Sequence, residues 1–261
     1  MPIALIRAVP ESLAHCELTH LARVAIDVQR AAEQHQRYED TLRSLGCTVR
    51  HLPATHDLPD SVFVEDVAVV LDELAIITRP GAASRRAERE SMAAVLSEYR
   101  ALQAIQAPGT LDGGDVLRVG RSLFVGLSTR TNEDGARQLA RYAAPFGYSV
   151  RCVQTEACLH LKSAATAIDV DRLVCNPEWI DTAVFGDLET LATHPDEPHA
   201  ANVLWLGDTI ICAAAHERTA TALQASGYRV VTVDVSELAK AEAGVTCCSV
   251  IVETPGSEKT E

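Results

Sequence analysis

An α/β fold built as a ring of five repeated units is predicted by three features of this 261-residue chain. Apolar hairpin pairs recur, several of them followed in the same order by a helical stretch and a further strand. Their starts, near Asp66, Asp115, Lys162, Asn202 and Ser249, lie roughly 40 to 50 residues apart, the period of stacked supersecondary units. The C-terminal SVIVE can pair with the N-terminal IALIR, so the start of the chain completes the last unit and the series closes.

In chain order, IALIR leads to a helical stretch from Ile26 to Leu45 and the strand CTVRHL. From Val67, VAVVLDELAIIT is two apolar runs around Asp72 and Glu73, a hairpin pattern. Ser84 can cap the next helix and Glu88 stands near capping-box spacing. Met92, Val95, Leu96 and Tyr99 then recur at helical intervals before the strand ALQAIQ. From Asp115, VLRV and SLFVG flank a Gly120-Arg121 turn, ahead of a helix from about Asn132 to Phe146 and the strand YSVRCV. KSAATAIDV and RLVCN around Asp171 predict a third hairpin, and ANVLWLGDTIICA around Gly207 and Asp208 a fourth. Helical HERTATALQASG and the strand YRVVTVDV follow. No Gly/Ser/Pro-rich linker interrupts this order, so one domain is expected over residues 1–261, with about the last eight forming a disordered tail.

Asp and Glu total 36 against 23 Lys and Arg, a formal charge of -13 that repels nucleic-acid phosphates and anionic lipid. Neither nucleic acid nor membrane is expected as a partner, whereas a small cation is favoured. The N-terminal apolar run is broken by Arg7 and Pro10, too short for a signal peptide or a membrane span. Eight cysteines without CxxC spacing suit reduced thiols in a cytoplasmic protein better than a disulfide or zinc framework. A homodimer is compatible with all of this.

In a ring, equivalent hairpin ends converge on one axis although they are far apart in sequence. Those ends carry Glu65-Asp66, Asp112, His160 and Cys247. A thiol, an imidazole and a carboxylate meeting there are the parts of a nucleophile, its acid/base partner and the group that orients it. Each also has a plainer explanation. Cys247 could be a small buried residue ahead of a strand, and His160, between two leucines, a satisfied core histidine. Asp112 in LDGGD could serve its own turn, with the glycines supplying positive φ. The two acids Glu65 and Asp66 could be a solvated strand end or, functionally, could accept the planar fork of a guanidinium. Cys248, on extended backbone, would face away from Cys247 and serve packing. Arg85 and Arg130 could hold a carboxylate, while Arg86 suits solvent.

Taken together, DSVFVED, ITRPGAASRR, GTLDGGDVL, RTNEDGARQ, LHLKS and TCCSV resemble the dimethylarginine dimethylaminohydrolases, in that family's order and over nearly the whole chain. The resemblance implies the five-bladed α/β propeller of the guanidino-modifying superfamily, with pseudo-five-fold symmetry. It implies Cys247 as nucleophile, His160 as acid/base and Asp112 as the orienting carboxylate. Glu65 and Asp66 would contact the guanidinium, Asp60 and Phe63 would line the pocket, and Arg85 and Arg130 would meet the substrate carboxylate. Leu18 falls on a mobile lid. Where members often have Asp-Gly ahead of the nucleophile this chain has Glu242-Ala243, which places Glu242 at the amino-group contact. The implied reaction is hydrolysis of Nω-methylated arginine to citrulline and an alkylamine through a covalent thiouronium, with no metal or organic cofactor. Arginine deiminase, an amidinotransferase and a non-catalytic ring that binds a cationic metabolite are the competing readings.

Overall fold

The computed structural model describes residues 1–155 and 157–253, so the expected disordered tail lies outside the described residues. Among the described residues, fifteen strands form five sheets of three strands each. Strand β1 (Ile3–Ile6) is followed by helix α1 (Val28–Ser44) and β2 (Thr48–His51), which pairs parallel to β1. The expected helix from Ile26 begins two residues later because Asp27 is its cap, accepting the backbone N–H of Arg30 at 3.0 Å. Ala31, Gln34, His35, Tyr38 and Leu42 form its buried stripe.

The second sheet joins β3 (Ala68–Val70), β4 (Leu74–Ile77) and β5 (Ala101–Ala104), the hairpin antiparallel and β5 parallel beyond helix α2 (Arg89–Leu96). Ser84 does not cap this helix. A 3-10 stretch, Ala83–Glu88, comes first, and the Ser84 hydroxyl donates instead to Glu17 Oε1 at 2.7 Å. The third sheet, β6 (Val116–Val119), β7 (Ser122–Leu127) and β8 (Ser149–Gln154), is spanned by α3 (Glu133–Ala143), capped by Asn132 through the Gly135 N–H.

After the single helical turn α4 (Leu161–Ala164), strands β9 (Ala165–Ala167), β10 (Arg172–Cys175) and β11 (Glu189–Ala192) form the fourth sheet. A 3-10 turn, Thr182–Phe185, replaces the crossing α-helix, in a stretch opened by Pro177 and closed by Gly186 at φ 67°. Phe185 fills that layer by packing edge-on against Phe124. The fifth sheet has β12 (Leu204–Leu206), β13 (Thr209–Ala213) and β14 (Arg229–Val233), with α5 (Glu217–Ala225) between the last two. The short helix α6 (Ser236–Ala239) then leads to β15 (Val250–Val252), antiparallel to β1 as the sequence predicts.

Hydrogen bonds link the hairpin starts in a closed circuit. Gly114 N–H donates to Asp66, Leu161 N–H to Asp115, and the Asn202 amide to the Lys162 carbonyl. Thr246 N–H donates to Asn202 and the Thr246 hydroxyl to Glu65, which closes the ring. Buried polar groups at an axis need partners, and each unit supplies them to the next.

Candidate active site

His160 stands just before α4 and is 5% exposed. Its position is held from behind, because buried Asp115 accepts the N–H of Leu161 at 3.0 Å. The ring Nε2 meets Asp112 Oδ2 at 3.1 Å, and Nδ1 lies 3.7 Å from Asp66 Oδ1. Burial opposes charge on this imidazole, but Asp66 and then Asp112 outweigh it, and its pKa is raised to about 9. It is an imidazolium at neutral pH. Burial likewise pushes the Asp115 carboxyl up, to about 6.

Asp112 does not serve its own turn. Its Oδ1 accepts the N–H of Gly81 at 2.9 Å, leaving Oδ2 for His160. Nor do Gly113 and Gly114 supply positive φ. They supply room: a Cβ on Gly113 would sit 2.0 Å from the Glu65 carbonyl oxygen, and one on Gly114 2.6 Å from His160 Nδ1.

Cys247 lies in a 3-10 turn, Thr246–Cys248, rather than on extended backbone. The Gly244 N–H donates to its sulfur at 3.4 Å. Burial, followed by the negative charges of Glu65 and Asp66, pushes the thiol up to about 12, so the unliganded site holds a neutral thiol. Cys248 is fully buried in the apolar cluster that includes Tyr38 and Leu42, which suits the packing role expected of it.

Cys247, His160, Asp60, Phe63, Asp66, Arg85, Arg130 and Glu242 line one cavity of about 20 Å³. Asp112 stands behind His160. Leu18 is half-buried against the cluster containing Phe63 and Cys247, off the cavity wall. Glu65 is also off that wall. One of its oxygens pairs with Lys162 Nζ at 2.7 Å, the other accepts from Thr246, and it faces a separate cavity of about 370 Å³ at the other end of the axis. The neighbours diverge because a 3-10 turn, Val64–Val67, carries them, and successive side chains on such a turn point about 120° apart.

Arg85 is largely spoken for. It donates to Glu88 through Nε (3.1 Å) and Nη2 (2.9 Å), to Asp66, and to the carbonyls of Asp60 and Phe63 at 3.1 and 2.9 Å. The expected carboxylate contact at Arg85 is thus restricted, and its main work is to hold Asp66 and the 60–63 loop. Arg130 Nη2 donates to the Thr19 hydroxyl at 3.0 Å. The Glu242 carboxylate, expected at the substrate amine, accepts backbone N–H groups from Thr19, His20 and Leu21. Asp66, Asp112 and His160 have ligand atoms within 4.8 Å of one another and could in principle grip a metal. Both carboxylates, however, are already satisfied by Arg85, Gly114 and Gly81. Lys162, Thr246, Asn202 and Leu159 were not among the site residues expected from the sequence, although Lys162 and Asn202 mark hairpin starts. Only Lys162, in LHLKS, carried a signal, as a cation two residues from the candidate histidine. Arg7, read as a break in an apolar run, is fully buried and donates to the Ser61 carbonyl at 3.0 Å, supporting the same loop.

Five three-stranded sheets around an axis, with a buried thiol and an oriented imidazolium opening on one cavity, define a cysteine-containing α/β propeller. The sequence model of the arginine deiminase family matches residues 53–201. An N(G),N(G)-dimethylarginine dimethylaminohydrolase of Pseudomonas aeruginosa is 36% identical over 225 residues, 85% of this chain and 89% of that protein. The protein of the same name from Streptomyces coelicolor is 38% identical, covering 95% of both. A solved P. aeruginosa structure, a cysteine-to-serine variant complexed with citrulline, superposes with a TM-score of 0.91 at 34% identity over 95% of this chain and 98% of its own. The chain belongs to the dimethylarginine dimethylaminohydrolase family.

Proposed function

We propose that this protein hydrolyses Nω-methylated arginine to citrulline and dimethylamine or methylamine, with Cys247, His160 and Asp112 as its catalytic residues. The observation that carries it is an imidazolium set between Asp112 and Asp66 on the same cavity as a neutral Cys247 thiol. The whole chain is taken as one catalytic unit, in keeping with sheets that close through β1 and β15. A cytoplasmic setting is part of the proposal, in keeping with eight unpaired cysteines among the described residues.

An incoming guanidinium brings positive charge to a thiol whose pKa is raised by burial and then by Glu65 and Asp66, which favours loss of its proton to solvent water as the substrate binds. Thiolate attack on the guanidinium carbon makes the C–S bond, with the Gly244 N–H steadying the sulfur. His160 gives its proton to the departing amine as the C–N bond breaks. Now neutral, it takes a proton from water, whose attack breaks the C–S bond and releases citrulline and the thiolate. Asp112 holds the ring in register for both transfers, and Phe63 offers an apolar wall for the methyl groups.

The test is a competition among arginine, monomethylarginine and asymmetric dimethylarginine, following citrulline and the released amine. Citrulline with an equal amount of dimethylamine is expected. Ammonia from arginine, with dimethylarginine inert, would make the protein a deiminase. No citrulline at all, with a ligand-protected thiol, would make it a binding ring.

A further inference from the structure

Asp115 is completely buried and takes no part in the proton and bond transfers. Burial raises its carboxyl to about 6, and hydrogen bonds from the Ser128 and Thr131 side chains partly offset that burial. At neutral pH it is therefore largely an anion, which accepts hydrogen bonds and donates none. A charge taken out of water is costly, and only the donors it gathers offset the loss.

Each oxygen of this carboxylate serves a different part of the site. Oδ1 accepts the Leu161 N–H at 3.0 Å, on the residue that follows His160. Oδ2 accepts the Ser128 hydroxyl at 2.6 Å, and the Ser128 oxygen in turn accepts the N–H groups of Arg130 at 3.0 Å and Thr131 at 3.2 Å. The Thr131 hydroxyl oxygen accepts the Asp112 N–H at 3.1 Å. Gly126, near the end of β7, makes the space: a Cβ there would fall 2.8 Å from Asp115 Oδ1 and 2.9 Å from the Leu161 Cβ. One anion thus ties together the turn with His160, the turn with Asp112 and the turn with Arg130, a residue on the wall of the catalytic cavity. Arg85 on the same wall is bound to Asp66 and Glu88, whereas Arg130 makes no ion pair among the described residues and is the cation left for a substrate carboxylate.

We infer that Asp115 is a positioning residue that fixes the span between the imidazole that moves the proton and the arginine that receives the substrate's α-carboxylate. Binding of the amino-acid end then sets the guanidinium end in register with His160. This assignment rests on the reaction proposed above.

The two arms separate by substitution. Ser128→Ala removes the Arg130 arm and leaves Oδ1 on Leu161. Asp115→Asn keeps the side-chain size but offers one acceptor and one donor. A backbone N–H cannot turn away and a hydroxyl can, so the amide oxygen stays on Leu161 and the Ser128 arm gives way. Each variant should raise KM for asymmetric dimethylarginine about tenfold, while kcat falls no more than about threefold. KM for the analogue lacking the α-carboxylate should not change. The double variant should be no worse than either single one, because both cut the same arm. Asp115→Ala cuts both arms and should also lower kcat about 100-fold. An equal rise in KM for the two substrates, or additive losses in the double variant, would overturn the inference. Ser128 is only half-buried beyond the end of β7, so its variant decides the matter even if the Asp115 variants do not fold: an unchanged KM for dimethylarginine there overturns the inference as well.

Hydrogen exchange on the free protein tells this failure from failure of the reaction. The Arg130 and Thr131 amides should exchange about tenfold faster in Ser128→Ala and in Asp115→Asn, and the Leu161 amide faster only in Asp115→Ala. If they do so while even the unaltered protein consumes no methylarginine, the tie stands and the reaction falls. Arg130 and Thr131 amides that stay protected in Ser128→Ala would overturn the tie.

Discussion

The two ends of the ring axis receive the two halves of one acidic pair and use them oppositely. At the closed end, Asp66 joins Asp112 around His160, and the charge is left concentrated on a few buried groups that a proton transfer can exploit. At the open end, Glu65 is neutralised at once by Lys162 and steadied by Thr246, facing a cavity nearly twenty times larger. The difference teaches that neighbours in sequence can face different cavities while both act on the same thiol. What separates the two carboxylates is the direction of one 3-10 turn.

The severest test of that contrast is at the closed end. Cys247→Ser should reduce citrulline formation by roughly 10,000-fold or more, because a hydroxyl there cannot replace the thiolate. Cys248→Ser should retain most turnover and instead lose about 1 to 3 kcal/mol of stability in a denaturant titration, since a buried hydroxyl replaces a packed thiol. Equal losses of activity in the two variants would erase the distinction between the faces of that turn.

His160→Gly should slow both formation and decay of the covalent adduct, by on the order of 100-fold to 10,000-fold in single-turnover traces. Since the imidazole must carry a proton for the first step and its pKa is raised to about 9, adduct formation should decline as pH rises through 9. Asp112→Asn removes one of the groups that raise it, so the decline should move to lower pH with a loss of roughly 10-fold to 100-fold.

At the open end the expected effect is smaller and of opposite sign. Burial and then Glu65 raise the Cys247 pKa, so Glu65→Gln should increase iodoacetamide labelling at fixed pH, by at most about tenfold for each unit the pKa falls. Labelling that stays constant would place Glu65 outside the thiol's field.

The smallest effect is on stability. A histidine whose folded pKa is raised from 6.5 to about 9 contributes stability that is complete below 6.5 and lost as pH rises through 9. The fall in Tm between pH 7 and pH 10 should therefore be a few degrees shallower in His160→Gly than in the unaltered protein, measured calorimetrically.

The order of the five units was legible in the sequence because it depends on local patterns. Alternating apolar runs about Gly120-Arg121 or Gly207-Asp208 form hairpins wherever they occur, and the SVIVE and IALIR segments are both β-forming and stand at the two ends of the order. Cys247, His160 and Asp112 could be nominated because equivalent ends of repeats must converge. The side-chain partners were not legible, for three reasons of tertiary origin. Ser84 has good capping chemistry, but a distant Glu17 offers its hydroxyl a partner and the helix starts later. The glycines of LDGGD are needed for the approach of Glu65 and His160, groups 48 and 46 residues away from Gly113 and Gly114, and no local rule reports such spacing. Glu65, Asp66 and Arg85 all bear charges suited to a charged ligand, and burial obliges each to find a protein partner first. Local periodicity and turn chemistry thus determine which elements form and in what order. Only the closed ring decides which carboxylate meets the imidazole, which meets a lysine and which gathers the backbone amides of residues 19–21, because those pairings depend on how distant chain segments are brought together.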